Sequence, residues 1–150
     1  TGTGVARTVT HNLAAVPEMI LVKNRSVTGA WNVYTATTGN TSFLELNTAY
    51  QQTTTTDAWN NTSPTSSVFT VGVSSATNGS GNNLVAYLFA TCAGVSKVGS
   101  YAGSGTTKQI DCGFTSGARF VLIKRINVDN YDWYVWDTAN AASYIFLAIA

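Results

Sequence analysis

The stretch "EMILVKNR" at residues 18–25 returns as "RFVLIKR" at 119–125. A motif written twice constrains a chain more than its composition does, because each copy has an apolar face that it cannot hide by itself. Set "GTGVARTVTHNLAAVPEMILVKNR" above "GSGTTKQIDCGFTSGARFVLIKRI" and the match runs through a loop and two strands. Val9 meets Ile110, Leu13 meets Phe114, Met19 meets Phe120, Leu21 meets Leu122 and Lys23 meets Lys124. One residue of slippage later, Trp31 meets Trp133, Val33 meets Val135 and Tyr34 meets Trp136, and "LVAYLFA" is echoed by "YIFLAIA". Each copy reads as a glycine pair, a strand, a strand ending in lysine, a tryptophan strand and a closing strand.

Alternate side chains of a strand face opposite ways, so Trp31 shares a face with Val33 and Asn32 shares one with Tyr34. Both copies keep Val two residues after Trp, which predicts that the Trp31/Val33 and Trp133/Val135 faces are core and that Tyr34 and Trp136 lie nearer the outside. The strands at 19–23 and 120–125 are apolar on both faces, as central strands are. Packing the copies on each other about a pseudo-twofold axis buries both faces. The expectation is an all-β, jelly-roll-like β-sandwich in one domain spanning 1–150, with copy one at 1–95 and copy two at 96–150. One hundred and fifty residues suffice to bury roughly 70% of the unfolded surface in a single core.

Short runs rich in Val, Ile, Tyr, Phe and Trp between Gly, Asn, Ser and Thr clusters fill in the rest. They predict strands at 7–13, 19–23, 31–34, 43–46, 67–73, 84–90, 97–101, 109–114, 120–125, 133–136 and 144–150. The segment 51–67, "QQTTTTDAWNNTSPTSS", reads as an exposed loop. Copy two is abridged: where copy one has its long excursion between Trp strand and closing strand, copy two has only "DTANAAS". Either copy two has lost that excursion or the sequence is a portion of a longer chain, the reading that a first residue other than Met favours.

Several functions are argued against. Charged residues make up 10% of the chain and the net charge is +1, so no basic stripe is present for phosphate backbones and nucleic acid is not an expected partner. No apolar run approaches the roughly 18 residues of a membrane span, so no insertion is expected. Gly2/Gly4 and Gly103/Gly105 lack the third glycine and following helix of a dinucleotide loop, and read as turns. The lone His11 has Cys112 as its counterpart, and no nucleophile elbow accompanies it. The carboxylates Glu18, Glu45, Asp57, Asp111, Asp129, Asp132 and Asp137 show no pairing of the kind that glycoside hydrolysis needs. Asn127, Asp129, Asn130 and Asp132 concentrate oxygen atoms without the glycine and glutamate of an EF-hand loop, and read as a hairpin turn. Neither a metal nor a cofactor is expected. Cys92 and Cys112 read either as buried free thiols or as a single bridge.

Aromatic rings remain. Sugars bind by stacking an apolar face on Trp or Tyr while Asn, Asp and Thr meet the hydroxyls. Tyr34, Tyr50, Trp59, Tyr101 and Trp136 are the candidates outside the expected core.

The motifs "HNLAAVPEMILVKNR", "WNVY", "NLVAYLFA", "GVSKVGSYAGSG", "CGFTSGARFVLIKR" and "SYIFLAIA", in that order, resemble an uncharacterised domain of marine bacteriophage virion proteins of tail or tail-fibre type. The resemblance covers most of the chain and is weakest over 35–66. Members have a longer segment before the final strand, from which "DTANAAS" departs. The resemblance brings no catalytic residues. It implies a structural or adhesive part of a particle; together with the repeat and the hydroxyl-rich surface, the expectation is a component displayed on the virion surface, assembling as a homo-oligomer with other virion proteins and touching host-surface carbohydrate. A capsid decoration protein and a free carbohydrate-binding module are the alternatives, with an enzyme behind both.

Overall fold

A computed structural model describes residues 1–139 and, as backbone, the strand Ile145–Phe146. The chain is nearly all β. Strands β1 (Arg7–Thr10), β2 (Met19–Asn24), β3 (Trp31–Thr35), β4 (Ser42–Glu45), β5 (Thr53–Thr54) and β6 (Val68–Val71) precede the one-turn helix α1 (Ser75–Asn78). Strands β7 (Leu84–Phe89), β8 (Phe120–Ile123), β9 (Tyr134–Asp137) and β10 (Ile145–Phe146) follow. They form antiparallel sheets in the orders β5-β4-β3-β2-β7, β10-β9-β8 and β1-β6.

The five-stranded sheet is apolar on both faces, as a central strand such as "MILVKN" requires. On one face Ile20 and Val22 of β2, Tyr34 of β3 and half-buried Leu84, Ala86 and Leu88 of β7 cluster with Trp59 and with Phe69 and Val71 of β6. The β1-β6 ribbon and the loop carrying Trp59 therefore cover this side. On the other face Val33, Leu44 and Leu46 cluster with Trp133, and half-buried Leu21, Trp31 and Leu122 join them. Trp133 is 4% exposed and its indole N–H donates to Glu45 O at 2.8 Å. The three-stranded sheet thus rests on the face that carries Val33, and the expected core positions Val33, Trp133 and Val135 are buried.

Both repeated lysines close the turn after their strand. Lys23 Nζ donates to Asn24 O at 2.8 Å, and Lys124 Nζ donates to Tyr131 O. Burial lowers the Lys124 pKa, while Asp132 and Asp129 pull it back up.

Polar ties hold the excursion 36–83 in place. Asn78 is fully buried; its Nδ2 donates to Val5 O and Gly72 O, each at 2.7 Å, and its Oδ1 accepts from Thr3 N at 2.9 Å. Asn24, also buried, donates from Nδ2 to Ser75 O at 2.9 Å. Each brackets a distant backbone that would otherwise be left without partners in a dry interior. Gly2 is threaded so closely here that a Cβ would stand 2.2 Å from Gly79 O.

The structure departs from the sequence expectations at several points. Tyr34, expected near the outside, is 5% exposed, because the ring of Trp59 meets it edge-on at 5.8 Å. Trp59, expected in an exposed loop, is 2% exposed and donates from Nε1 to Ser42 O at 3.0 Å. Segments 97–101 and 109–114 are not strands; no ladder is formed there among the described residues. A strand needs a neighbour, and the counterpart of 109–114, β1, has one in β6. Cys92 is exposed and Cys112 half-buried, both as free thiols, so neither the buried nor the bridged form is found. Of the closing strand at 144–150, residues 145–146 pair with β9; the rest lies outside the described residues. No helix among the described residues is long and apolar enough to cross a membrane.

Candidate functional site

Two loops, one after β4 and one between β8 and β9, are zipped together by backbone. Gln52 N donates to Ile126 O at 3.0 Å and Tyr131 N donates to Ala49 O at 3.2 Å. The side chain of Asp129 accepts from Gln51 N at 2.8 Å and from Gln51 Nε2 at 3.5 Å. Asn130 turns the second loop through a left-handed conformation at φ 64°, which Asn tolerates better than most residues.

The zipper sets two rings on one junction. Tyr50 is 60% exposed and Tyr131 is 37% exposed. Arg125 lies with its guanidinium carbon 4.5 Å from the Tyr131 ring centroid, a cation–π arrangement that braces the ring, while Arg125 Nε donates to Asn127 Oδ1 at 3.3 Å. Exposed rings beside a guanidinium, amides and a carboxylate offer ring faces to apolar surfaces and polar heads to hydroxyls.

The five rings singled out from sequence do not converge. Tyr50 belongs to this junction. Tyr101, 49% exposed, lies in the long irregular segment before β8, and Trp136, 42% exposed, stands on the outer face of β9. Tyr34 and Trp59 are core residues and offer no ring face to a sugar. Burial also raises the pKa of Tyr34. Tyr131, Arg125 and Gln51 were not legible as a site, since only a contact between loops about 78 residues apart brings them to Tyr50; the dense "INVDNYD" was the available signal.

The other groups with chemistry are tied into structure. His11 accepts from Leu13 N at Nδ1 (3.3 Å), which leaves Nε2–H to donate to Thr65 O at 3.2 Å. Glu18 accepts from Thr91 N through its carboxylate. An open cleft of about 330 Å³ is lined by Ser96, Lys97, Asp111 and Cys112. Among the described residues, no three His, Cys, Asp or Glu side chains converge as metal ligands.

Over residues 1–147 the sequence matches the family described as Domain of unknown function (DUF7483), and the chain belongs to that family. No curated protein and no solved structure matches it.

Proposed function

We propose, from the likeness of its motifs to virion domains of tail-fibre type, that the chain is a non-enzymatic structural module of a bacteriophage particle, a part displayed at the virion surface. In this reading it is a duplicated β-sandwich whose two sheets are the five-stranded and the three-stranded one, each presenting its repeated Trp/Val face to the other. It works as a homo-oligomer among other virion proteins and meets host-surface carbohydrate at the Tyr50–Tyr131 junction. The observation that carries the contact is the joining of the two loops that bear exposed Tyr50 and Tyr131, the latter braced by Arg125, through Gln51–Asp129 and backbone hydrogen bonds. The charge-poor surface agrees with it, since hydroxyls and amides solvate such a module without attracting polyanions.

The test has two arms. Antibody against the chain is expected to label purified phage particles, and the full chain is expected to retain a subset of bacterial surface glycans on an array. Tyr50→Ala and Tyr131→Ala should each weaken retention about fivefold, the loss of one stacking contact of roughly 1 kcal/mol. Unlabelled particles would remove the virion assignment. Retention unchanged in both variants would remove the junction as the glycan site.

A further inference from the structure

The two edges of the five-stranded sheet are not alike. Its order puts β5 at one edge and β7 at the other. β5 is Thr53–Thr54, too short to offer a further strand more than one bonded pair. β7 runs for six residues as "LVAYLF" and pairs on one side only, with β2. Arg25 N donates to Asn83 O at 2.8 Å, which fixes the alternation of that ladder: Asn83, Val85, Tyr87 and Phe89 turn their backbone groups toward β2. Leu84, Ala86 and Leu88 turn theirs outward, and among the described residues nothing pairs with them there.

Native proteins blunt such an edge with charge, proline or a bulge. β8, an edge of the three-stranded sheet, lies between Arg119 and Lys124, and β1 begins with Arg7. β7 has none of these devices. Its register with β2 runs unbroken from Leu84 to Phe89, and no Asp, Glu, Lys, Arg or Pro occurs from residue 79 to residue 96. Its side chains are apolar on both faces. Leu84, Ala86 and Leu88 pack half-buried against the cluster that contains Trp59, while Tyr87 and Phe89, on the opposite face, are 49% and 43% exposed. Trp31 stacks on Tyr87 at 6.2 Å between ring centroids and steadies that ring beside the edge.

We propose that this edge is where two copies of the chain join, β7 pairing antiparallel with β7 of a second copy across a twofold axis at Ala86. In that register all three outward residues find partners: Leu84 pairs with Leu88 of the second copy, Ala86 with Ala86, and Leu88 with Leu84. About six backbone hydrogen bonds then close the edge, and the two sheets continue as one. On the face of Tyr87, that ring stands opposite Val85 of the second copy, an aromatic and β-branched pair of the kind that stabilises sheets. Charge and symmetry select the occupant. A charged strand finds no counter-charge along residues 79–96, whereas a second β7 is as long and as free of charge as the edge it meets. A twofold pairing also closes on itself, so assembly stops at two copies. The proposal gives the homo-oligomer of the proposed function its interface, and rests on that part of the reading alone.

The full chain is sedimented over a concentration series, and its amide hydrogen exchange is followed residue by residue by NMR. A monomer–dimer equilibrium is expected. In the dimer the amides of Leu84, Ala86 and Leu88 should slow at least about tenfold, while those of Val85, Tyr87 and Phe89, already turned to β2, change little. Ala86→Pro removes an outward N–H and no bond to β2, and Tyr87→Lys sets a charge beside the join in each copy. Each should raise the dimer dissociation constant at least about tenfold. Tyr87→Lys leaves the backbone untouched, so it decides the matter if the proline variant does not fold. A chain that stays monomeric up to about 1 mM would overturn the proposal and the homo-oligomer with it. A dimer whose exchange at 84, 86 and 88 is unchanged, or whose dissociation constant Tyr87→Lys leaves alone, would overturn this interface and leave the homo-oligomer standing. Assembly continuing beyond two copies would overturn the twofold register.

Discussion

The strand "MILVKN" and the strand "FVLI" carry matching residues and meet different fates. Ile20 and Val22 are 2% exposed or less, because a ribbon, a tryptophan loop and a helical turn lie over them. Ile123, in the position of Val22, is 36% exposed. Among residues 91–139 only Trp133 and Val135 are fully buried, and Trp133 packs against Val33, Leu44 and Leu46 of the first half. Burial is therefore a property of what the rest of the chain brings to a strand, and the same apolar pattern serves as core in one place and as surface in the other.

The largest effect expected from this contrast is on the tryptophans. Trp59→Ala should cost ~3–5 kcal/mol in urea unfolding, since it empties a filled site and orphans Ser42 O. Trp136→Ala should cost no more than about 1 kcal/mol. Equal losses would break the comparison. Next come the glycines: Gly2→Val should destabilise by roughly 1–3 kcal/mol, as its side chain has no space beside Gly79. Gly103→Val should stay within about 0.5 kcal/mol. A marked loss at Gly103 would show that the second half is already packed there.

The smallest effect is alkaline. Burial lifts the Tyr34 pKa above its ordinary 10.0, so above pH 10 the folded chain holds a proton that the unfolded chain has released. The stability linked to that proton is fully present below pH 10.0 and is lost as pH rises through the lifted value. Lys124 acts in the opposite sense, its lowered pKa making stability rise toward its ordinary 10.5. The difference between wild type and Tyr34→Phe isolates the tyrosine: the variant should decline less above pH 10. Parallel curves would place Tyr34 in contact with water, as Trp136 is.

Most β-strands were legible because they carry their own signal: β2, β3, β7 and β8 are short apolar runs with turn residues on either side. The glycine pairs, the terminal lysines and the Trp/Val spacing were legible for the same reason. What was not legible depended on distant partners. Segment 109–114 has the residues of a strand and, among the described residues, no neighbour to make it one, whereas β1, no more apolar, is made a strand by β6. Trp59 sits among Thr and Asn that read as loop, yet its indole reaches Ser42 across the sheet edge. Tyr50 was recognisable as an exposed ring, but its companions Tyr131 and Arg125 come from a loop some 78 residues away and left no local trace.

Val33 and Trp133 lie in one core cluster, which joins the first sheet to the second half of the chain. A double-mutant cycle between Val33→Ala and Trp133→Phe, measured by urea unfolding, tests that contact directly. The account predicts a coupling energy of about 0.5–3 kcal/mol. Losses that add to within about 0.3 kcal/mol would mean that the two halves do not pack through these faces.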